Sequence, residues 1–377
     1  MKLGDLCGSE TERLTAADAL MIDYIDISSV SNESKSIIGK QTLQSREAPS
    51  RAQRVIKADD ILVSTVRPNL NAVAVYDGSF ENLAVASTGF CVLRCKPGVS
   101  HRFVFNICKS NAFIKAMTEQ ATGASYPAVN DRIIRAFEVP DLDYESQTRL
   151  AGRLDSIQLI IDLRKQQLRE LDDLIKARFV EMFGSIRETV PLSYYIDSLV
   201  AGKSLAGEEE CTNKVLKTGA ATHDYFDASQ VKNLPKEYVP LPEHLIHDGD
   251  VIISRMNTAE LVGAAAYIWA APNNTYLPDR LWRAELTDKA NPIFVWQSII
   301  QPTTKEAIRR IAGGTSGSMK NISKPGLLGL HVKKVEMSTQ NKFAAFVSQV
   351  DKSKVVVQEA LDKAQLLFDS LMQQYFG

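Results

Sequence analysis

The side chains of this chain best suited to chemistry are arginines and asparagines flanking short apolar runs. Arg46, Arg51, Arg54 and Lys57 precede the run Ile61-Leu-Val-Ser-Thr-Val66, and Arg67-Pro-Asn69 with Asn71 follows it. Arginine and asparagine can each make two hydrogen bonds at once, to guanine and adenine edges respectively, in the major groove of DNA. The matching turn after Val251–Ser254 is Arg255-Met-Asn257-Thr258. A second group lies in small-residue loops, Thr122-Gly-Ala-Ser125 with Tyr126 and Asn130, and Gly313-Gly-Thr-Ser-Gly-Ser318 with Lys320, Asn321 and Lys324. Small residues let backbone N–H groups come close to a phosphate. Ser87, Thr88 and Arg280 complete the candidate DNA contacts. Taken singly, each is an ordinary solvated loop residue; recurrence at equivalent places makes them a set.

Other chemistries fail on the residues they need. Asn291-Pro-Ile-Phe294 has the outline of an amino-methyltransferase motif, but its third residue is Ile, no glycine-rich cofactor loop precedes it, and a proline opening a helix accounts for it. Pro278-Asp279 followed by Glu285 lacks the Glu-x-Lys of a nuclease core, since Glu285 is followed by Leu-Thr. The glycine-rich run ending in Lys320 closes a helix and lacks the Gly-Lys-Ser/Thr ending of a phosphate-binding loop. The five histidines form no nucleophile–base arrangement, so no catalytic residue is assigned. None of the five cysteines has metal-ligand spacing to a histidine. No metal is expected, and Cys91 and Cys95, on one face of a strand, read as a pair of buried thiols.

The composition, 45% hydrophobic and 24% charged, is that of a soluble globular protein, and 377 residues predict two or more cores. The absence of a long apolar run or a signal-like N-terminus predicts a cytoplasmic protein without a membrane partner. A net charge of −1 offers no general attraction to phosphates. A DNA role therefore needs clustered basic residues or partners that carry phosphate contacts.

The elements that must position the candidates are duplicated. Asp60-Ile-Leu-Val-Ser64 recurs as Asp250-Val-Ile-Ile-Ser254, an offset of 190. Thr122–Asn130 recurs as Thr315–Ser323 at an offset of 193, which also separates Val139 from Val332, Gln147 from Gln340, and Phe183-Gly184 from Phe376-Gly377. Low identity inside a constant spacing describes a retained scaffold with diverged readers. Each half reads as mixed α/β: strands over Ile61–Val66, Ala72–Tyr76 and Phe90–Arg94, then a helix over Phe103–Gln120; and strands over Val251–Ser254, Ala264–Trp269 and Leu281–Leu286, then a helix over Phe294–Ile311.

Each half closes with heptad spacing. The first apolar stripe is Leu150, Leu154, Ile157, Ile161, Arg164, Leu168, Leu171, Ile175, Arg178 and Met182; the second is Phe343, Val347, Val350, Lys354, Val357, Leu361, Ala364, Phe368, Leu371 and Tyr375. Pro140, Asp143 and Ser338 are stop and cap signals. Each stripe predicts a rod of about 35 residues, about 50 Å long. Antiparallel pairing of the two, through Leu154, Ile157, Leu168, Leu171, Val347, Val350, Leu361 and Leu371, would set two domains about 50 Å apart, with Arg164, Arg178 and Lys354 fixing register. The predicted organisation is a first α/β (α+β) domain over 1–143, a helix over 144–184, a second domain over 185–336 and a second helix over 337–377, an internal pseudo-twofold repeat.

Ala48-Pro-Ser-Arg51, Asp60–Asn69, Ala86-Ser-Thr-Gly-Phe90, Thr122-Gly-Ala-Ser-Tyr-Pro127 and the long helix ending in Phe183-Gly184 together resemble the specificity (S) subunit of type I restriction-modification enzymes, over the whole chain. In the second half Arg255-Met-Asn257 stands for the Arg-Pro-Asn turn and Pro278-Asp-Arg280 for Ser-Thr-Gly. The resemblance implies two target-recognition domains, each reading one part of a split sequence in double-stranded DNA, with the coiled coil as ruler. It implies docking of two methyltransferase (M) subunits and, through that core, of restriction (R) subunits. S-adenosylmethionine, ATP and Mg are then expected on those partners, and no cofactor or catalysis on this chain. The other readings are a coiled-coil scaffold, or a recognition subunit of another DNA-modifying or phage-defence assembly.

Overall fold

The computed structural model describes residues 1–8, 12–14, 20–314 and 319–377. They divide into two compact units, Met1–Gln166 with Gln358–Gly377, and Gln167–Val357. Each unit thus takes one half of each long helix, a division different from the predicted domain–helix–domain–helix order.

The first unit begins with the short helix α1 (Leu3–Leu6), followed by β1 (Met21–Ile25), β2 (Val30–Ser31), β3 (Ser36–Ile37), β4 (Gln41–Gln44), β5 (Ala52–Val55), β6 (Ile61–Ser64), β7 (Val73–Val75), β8 (Leu83–Ser87) and β9 (Phe90–Leu93). One sheet has the order β4-β1-β8-β5, a second β7-β6-β9, and β2 pairs with β3. Every residue of β6 and β9 is buried, because apolar clusters cover both faces of that sheet. α2 (His101–Lys109) and α3 (Asn111–Glu119) occupy the span predicted as one helix. The break falls at Ser110, whose extended backbone ends α2 and whose hydroxyl accepts the Phe113 N–H at 3.1 Å to start α3. α4 (Asp131–Arg135) leads to α5 (Tyr144–Phe183).

The second unit repeats the plan with β10 (Thr189–Pro191), β11 (Ile196–Ala201), β12 (Lys214–Leu216), β13 (Val231–Asn233), β14 (Val251–Ser254), β15 (Met256–Asn257), β16 (Ala265–Tyr267), β17 (Thr275–Tyr276), β18 (Leu281–Leu286), β19 (Lys320–Asn321) and β20 (His331–Lys333). β14, wholly buried, lies between β16 and β18 as β6 lies between β7 and β9, both times antiparallel to its neighbours. α6 (Pro292–Ile300) and α7 (Pro302–Ile311) again replace one predicted helix. Here Pro302 forces the break, since it offers no N–H and disfavours helical geometry at Gln301. α8 (Lys324–Leu328) precedes α9 (Met337–Phe376).

α5 and α9 are 40 residues each, about five longer than the heptad stripes suggested, and their first and last residues are 193 apart. The stripe positions are all buried or half-buried. Within the first unit, Leu150 and Leu154 of α5 share a core with Phe368, Leu371, Met372, Tyr375 and Phe376 of α9. Within the second, Phe183 meets the Phe343 ring edge-on at 5.2 Å and Asp172 pairs with Lys354 at 2.7 Å, so partners that ascend α5 descend α9 and the two run antiparallel. Leu171, Val347 and Val350 belong to that core; Ile157 and Leu168 are half-buried and Leu361 is buried. Among the charged interruptions, Lys354 belongs to the pair just named and Arg178 lies over the Phe346 ring at 5.5 Å.

The Asp143 carboxylate accepts the Ser146 N–H at 2.8 Å at the start of α5. Ser338 is not the corresponding cap, because α9 starts one residue earlier and Glu336 occupies the flanking position. Cys91 is buried in β9, but Cys95 lies beyond that strand and forms a backbone β-bridge with Cys7, both thiols being free, so the close thiol pair is Cys7–Cys95 and not Cys91–Cys95.

Candidate nucleic-acid interface

In the first unit the turn after β6 and the loop after α3 are hydrogen-bonded into one structure. Thr122 and Ala128 exchange N–H···O bonds of 3.0 and 2.9 Å across the loop base, Val129 N–H reaches Thr65 O at 2.9 Å, and Arg67 N–H reaches Pro127 O at 2.7 Å. Gly123 takes φ +106°, and a Cβ there would stand 2.9 Å from the Tyr126 carbonyl, so the loop requires glycine. Arg67 holds the left-handed region at φ 49° and begins the 3₁₀ turn Pro68–Leu70. Its guanidinium lies 4.9 Å from the centre of the Tyr126 ring, and Tyr126 is 69% exposed.

The second unit has the same frame. Gly313 and Asn321 exchange bonds of 2.9 Å each, Ile322 N–H reaches Arg255 O at 3.0 Å, and β15 pairs with β19 through Met256–Asn321 and Asn257–Lys320. Gly314 has φ +126°, with a Cβ position 2.6 Å from the Met319 carbonyl. This register corrects the predicted equivalence of the two turns. Asn257, not Arg255, occupies the place of Arg67, and Arg255 occupies that of Thr65. Arg255 is accordingly half-buried, with its guanidinium 5.8 Å from the Trp282 ring.

Other candidates divide by exposure. Arg46, Arg51, Asn69, Ser125, Asn130, Thr258, Arg280, Asn321 and Lys324 are exposed; Thr88, Asn257 and Lys320 are half-buried. Several cations are already engaged: Arg54 with Asp131 and Lys57 with Glu12, both at 2.6 Å, Lys320 with the Gly314 carbonyl at 2.8 Å, and Lys324 with the Leu199 carbonyl at 2.7 Å. Asn130 caps α4 by accepting the Ile133 N–H. Two candidates belong to the interior instead. Ser87 ends the central strand β8 and has no exposure, and Asn71 closes the 3₁₀ turn at φ 48° with 6% exposure. Ser318 lies outside the described residues.

The sequence reading missed the surroundings of Arg280. Ser204, Lys217, Thr218, Lys232 and Asp279 line with it a cleft of about 490 Å³, and the Ser204 hydroxyl is hydrogen-bonded to the Asp279 carboxylate. Lys217 follows β12 and Lys232 is the middle residue of β13, neither within a motif, and only the fold brings three cations to one cleft.

The discarded catalytic motifs have structural duties. Asn291 accepts the N–H groups of Ile293 and Phe294 as the cap of α6, and Glu285 pairs with Arg283 at 2.8 Å. Among the described residues no group of three His, Cys, Asp or Glu side chains forms a metal-binding cluster, and no helix is long and apolar enough to cross a membrane.

No family model matches the chain. It is similar to the specificity subunit of the type I restriction enzyme EcoKI from Escherichia coli strain K12, 21% identical over 313 residues that cover 76% of this chain and 67% of that protein. Specificity subunits of the type I enzymes EcoEI and HindI match over shorter stretches, 27% and 42% of their lengths. A chain in a structure describing assembly and conformational transition of the type I R-M system superposes with a TM-score of 0.61 at 20% identity, covering 100% of this chain and 96% of that one. The type I S subunit from M. genitalium also gives 0.61, at 13% identity, covering 100% and 95%.

Proposed function

We propose that this chain, a type I restriction-modification specificity subunit by its relatives, its fold and its repeat, reads a two-part DNA target and carries out no catalysis itself. The observation that supports this most is the duplicated frame: a buried strand, a turn and a glycine loop held by the same backbone hydrogen bonds in each unit, with different side chains at the tip. A constant frame bearing variable Arg and Asn side chains suits two readers of different sequences. A coiled-coil scaffold needs no such frame.

The partners follow from the helices. Leu163 and Leu367 in the first unit are 53% and 51% exposed, and Leu174 and Val356 in the second are 48% and 67% exposed. The offset of 193 relates Leu163 to Val356 and Leu174 to Leu367, so each unit presents the same pair of apolar positions. Exposed apolar groups in register on a charged rod are a docking surface, and their repetition fits two copies of one partner. We assign that partner as the methyltransferase subunit, with the restriction subunit joining through it. S-adenosylmethionine, ATP and Mg belong to those subunits in this reading.

The test is co-expression with the methyltransferase of the same system and genome-wide mapping of methylated adenines. The expected result is a split motif with a fixed gap, changed in one part when residues 1–140 are exchanged and in the other when residues 190–330 are exchanged. A stable complex that methylates no sequence would remove the DNA-reading function and leave the scaffold.

A further inference from the structure

We propose that Arg67, held against Tyr126, reads a guanine in the part of the target recognised by the first unit, and that Asn257 holds the same specificity position in the second. This rests on the DNA-reading function proposed above.

The first argument is preparation. An arginine in the left-handed region is strained, and such strain at an exposed position marks a site where side-chain direction matters. The Arg67 backbone is fixed on both sides, by its N–H bond to Pro127 O and by the 3₁₀ turn that its carbonyl closes with Leu70 N–H at 2.9 Å. The Tyr126 ring offers a face to the guanidinium, which lies over it at 4.9 Å from the ring centre, and a cation held there by the ring uses no N–H donor on a protein acceptor. Among the described residues no carboxylate forms an ion pair with Arg67, whereas Arg54, Lys57 and Arg94 are each paired with one. A guanidinium held over an aromatic ring without an acidic partner suits the O6 and N7 acceptors of guanine.

The second argument comes from the duplication, which acts as an internal comparison. The ladder places Arg67 opposite Pro127 and Asn257 opposite Lys320, at the same step of the same frame. The platform residue changes as well, from Tyr126 to Met319, 49% exposed. Asn257 has a side chain suited to adenine. The tip backbone differs, since Arg67 takes φ 49° ahead of a 3₁₀ turn whereas Asn257 lies in β15, but a ladder position that keeps its pairing while its base-reading side chain is exchanged is what distinguishes a specificity determinant from a phosphate contact, which has no reason to change. Tyr126 is on this view a positioning residue.

The experiment compares adenine-methylation motifs of the co-expressed complex carrying wild-type chain, Arg67→Asn or Tyr126→Ala. Asparagine tolerates left-handed backbone, so Arg67→Asn preserves the turn; Arg67→Lys is the second variant should that complex not assemble. In the wild type, one G·C pair is expected in the first part of the motif. Either Arg67 variant should lower discrimination at that pair about tenfold or more, with the second part and the gap unchanged. Tyr126→Ala should weaken discrimination at the same pair and no other. An unaltered motif in the Arg67 variants, a first part without a G·C pair, or a uniform loss across all sites would each overturn the assignment while leaving the DNA-reading function intact. A wild-type complex with no split motif would remove that function and this inference together.

Discussion

Gln147 accepts the backbone N–H of Ser100 at 3.0 Å and donates its amide to the Leu142 carbonyl at 2.8 Å, and Gln340 likewise accepts the Asn291 N–H at 2.8 Å and donates to the Val335 carbonyl at 2.8 Å. Ser100 and Asn291 are the caps of α2 and α6, so in each unit a buried glutamine in the first turn of a long helix pins the start of a domain helix. The paired use explains why glutamine recurs at both positions of the repeat.

Replacing Gln147 by Met keeps the shape and leaves one N–H and one C=O without their partner. The cost should be about 2–4 kcal/mol. Thermal unfolding should show the loss, and amide exchange should place it around Ser100–Val104. A change below half a kcal/mol would show that water substitutes freely.

In the second unit, Phe343 packs edge-on to Phe179 and Phe183 at 5.5 and 5.2 Å, and Phe183 to Phe294 at 5.3 Å. Phe343 has no exposure, and these rings join both long helices to α6. Phe343→Ala should cost about 3–5 kcal/mol. Calorimetry would read it as a lowered transition, with amide protection lost in α6 before the first-unit strands.

The repeat and the heptads were legible because both depend on spacing, which survives divergence: the ends of α5 and α9 keep the offset seen in Phe183-Gly184 and Phe376-Gly377. The registration of the interface was less so. Arg255 looked like the partner of Arg67 by residue type, but strand pairing decides the equivalence, and a shift of two residues puts Arg255 in the place of the buried Thr65 instead. Asn71 and Ser87 sit in turn- and strand-forming contexts whose burial depends on β8, β1 and the 3₁₀ turn, all remote or conformational features. Lys217 and Lys232 reach Arg280 only through tertiary contact.

Asp23, fully buried, gives a pH test. Burial pushes its carboxyl up, but hydrogen bonds from Lys40, Thr42 and Asn82 outweigh this and hold it down at about 2. A carboxylate depressed in the folded state stabilises above its unfolded value, about 3.9, and that stabilisation is lost as pH falls through about 2. Asp23→Asn should therefore cost about 2 kcal/mol at neutral pH, with the difference from wild type shrinking between about pH 4 and pH 2. Denaturant unfolding across that range would measure it; a pH-independent difference would mean that the carboxylate charge contributes nothing.

The repeated apolar positions on the long helices predict stoichiometry as well as binding. Leu163→Asp and Val356→Asp change one equivalent position each, on surfaces 53% and 67% exposed, so neither should alter folding. If each marks a separate copy of the methyltransferase subunit, a single substitution should weaken one docking event by about tenfold or more. Native mass spectrometry of the co-expressed complex should then show one bound subunit in place of two for either variant, and none for the double variant. Retention of two subunits by the double variant would locate docking elsewhere on the chain. Loss of both by one substitution would mean that the two copies bind cooperatively and not as independent occupants of a repeated surface.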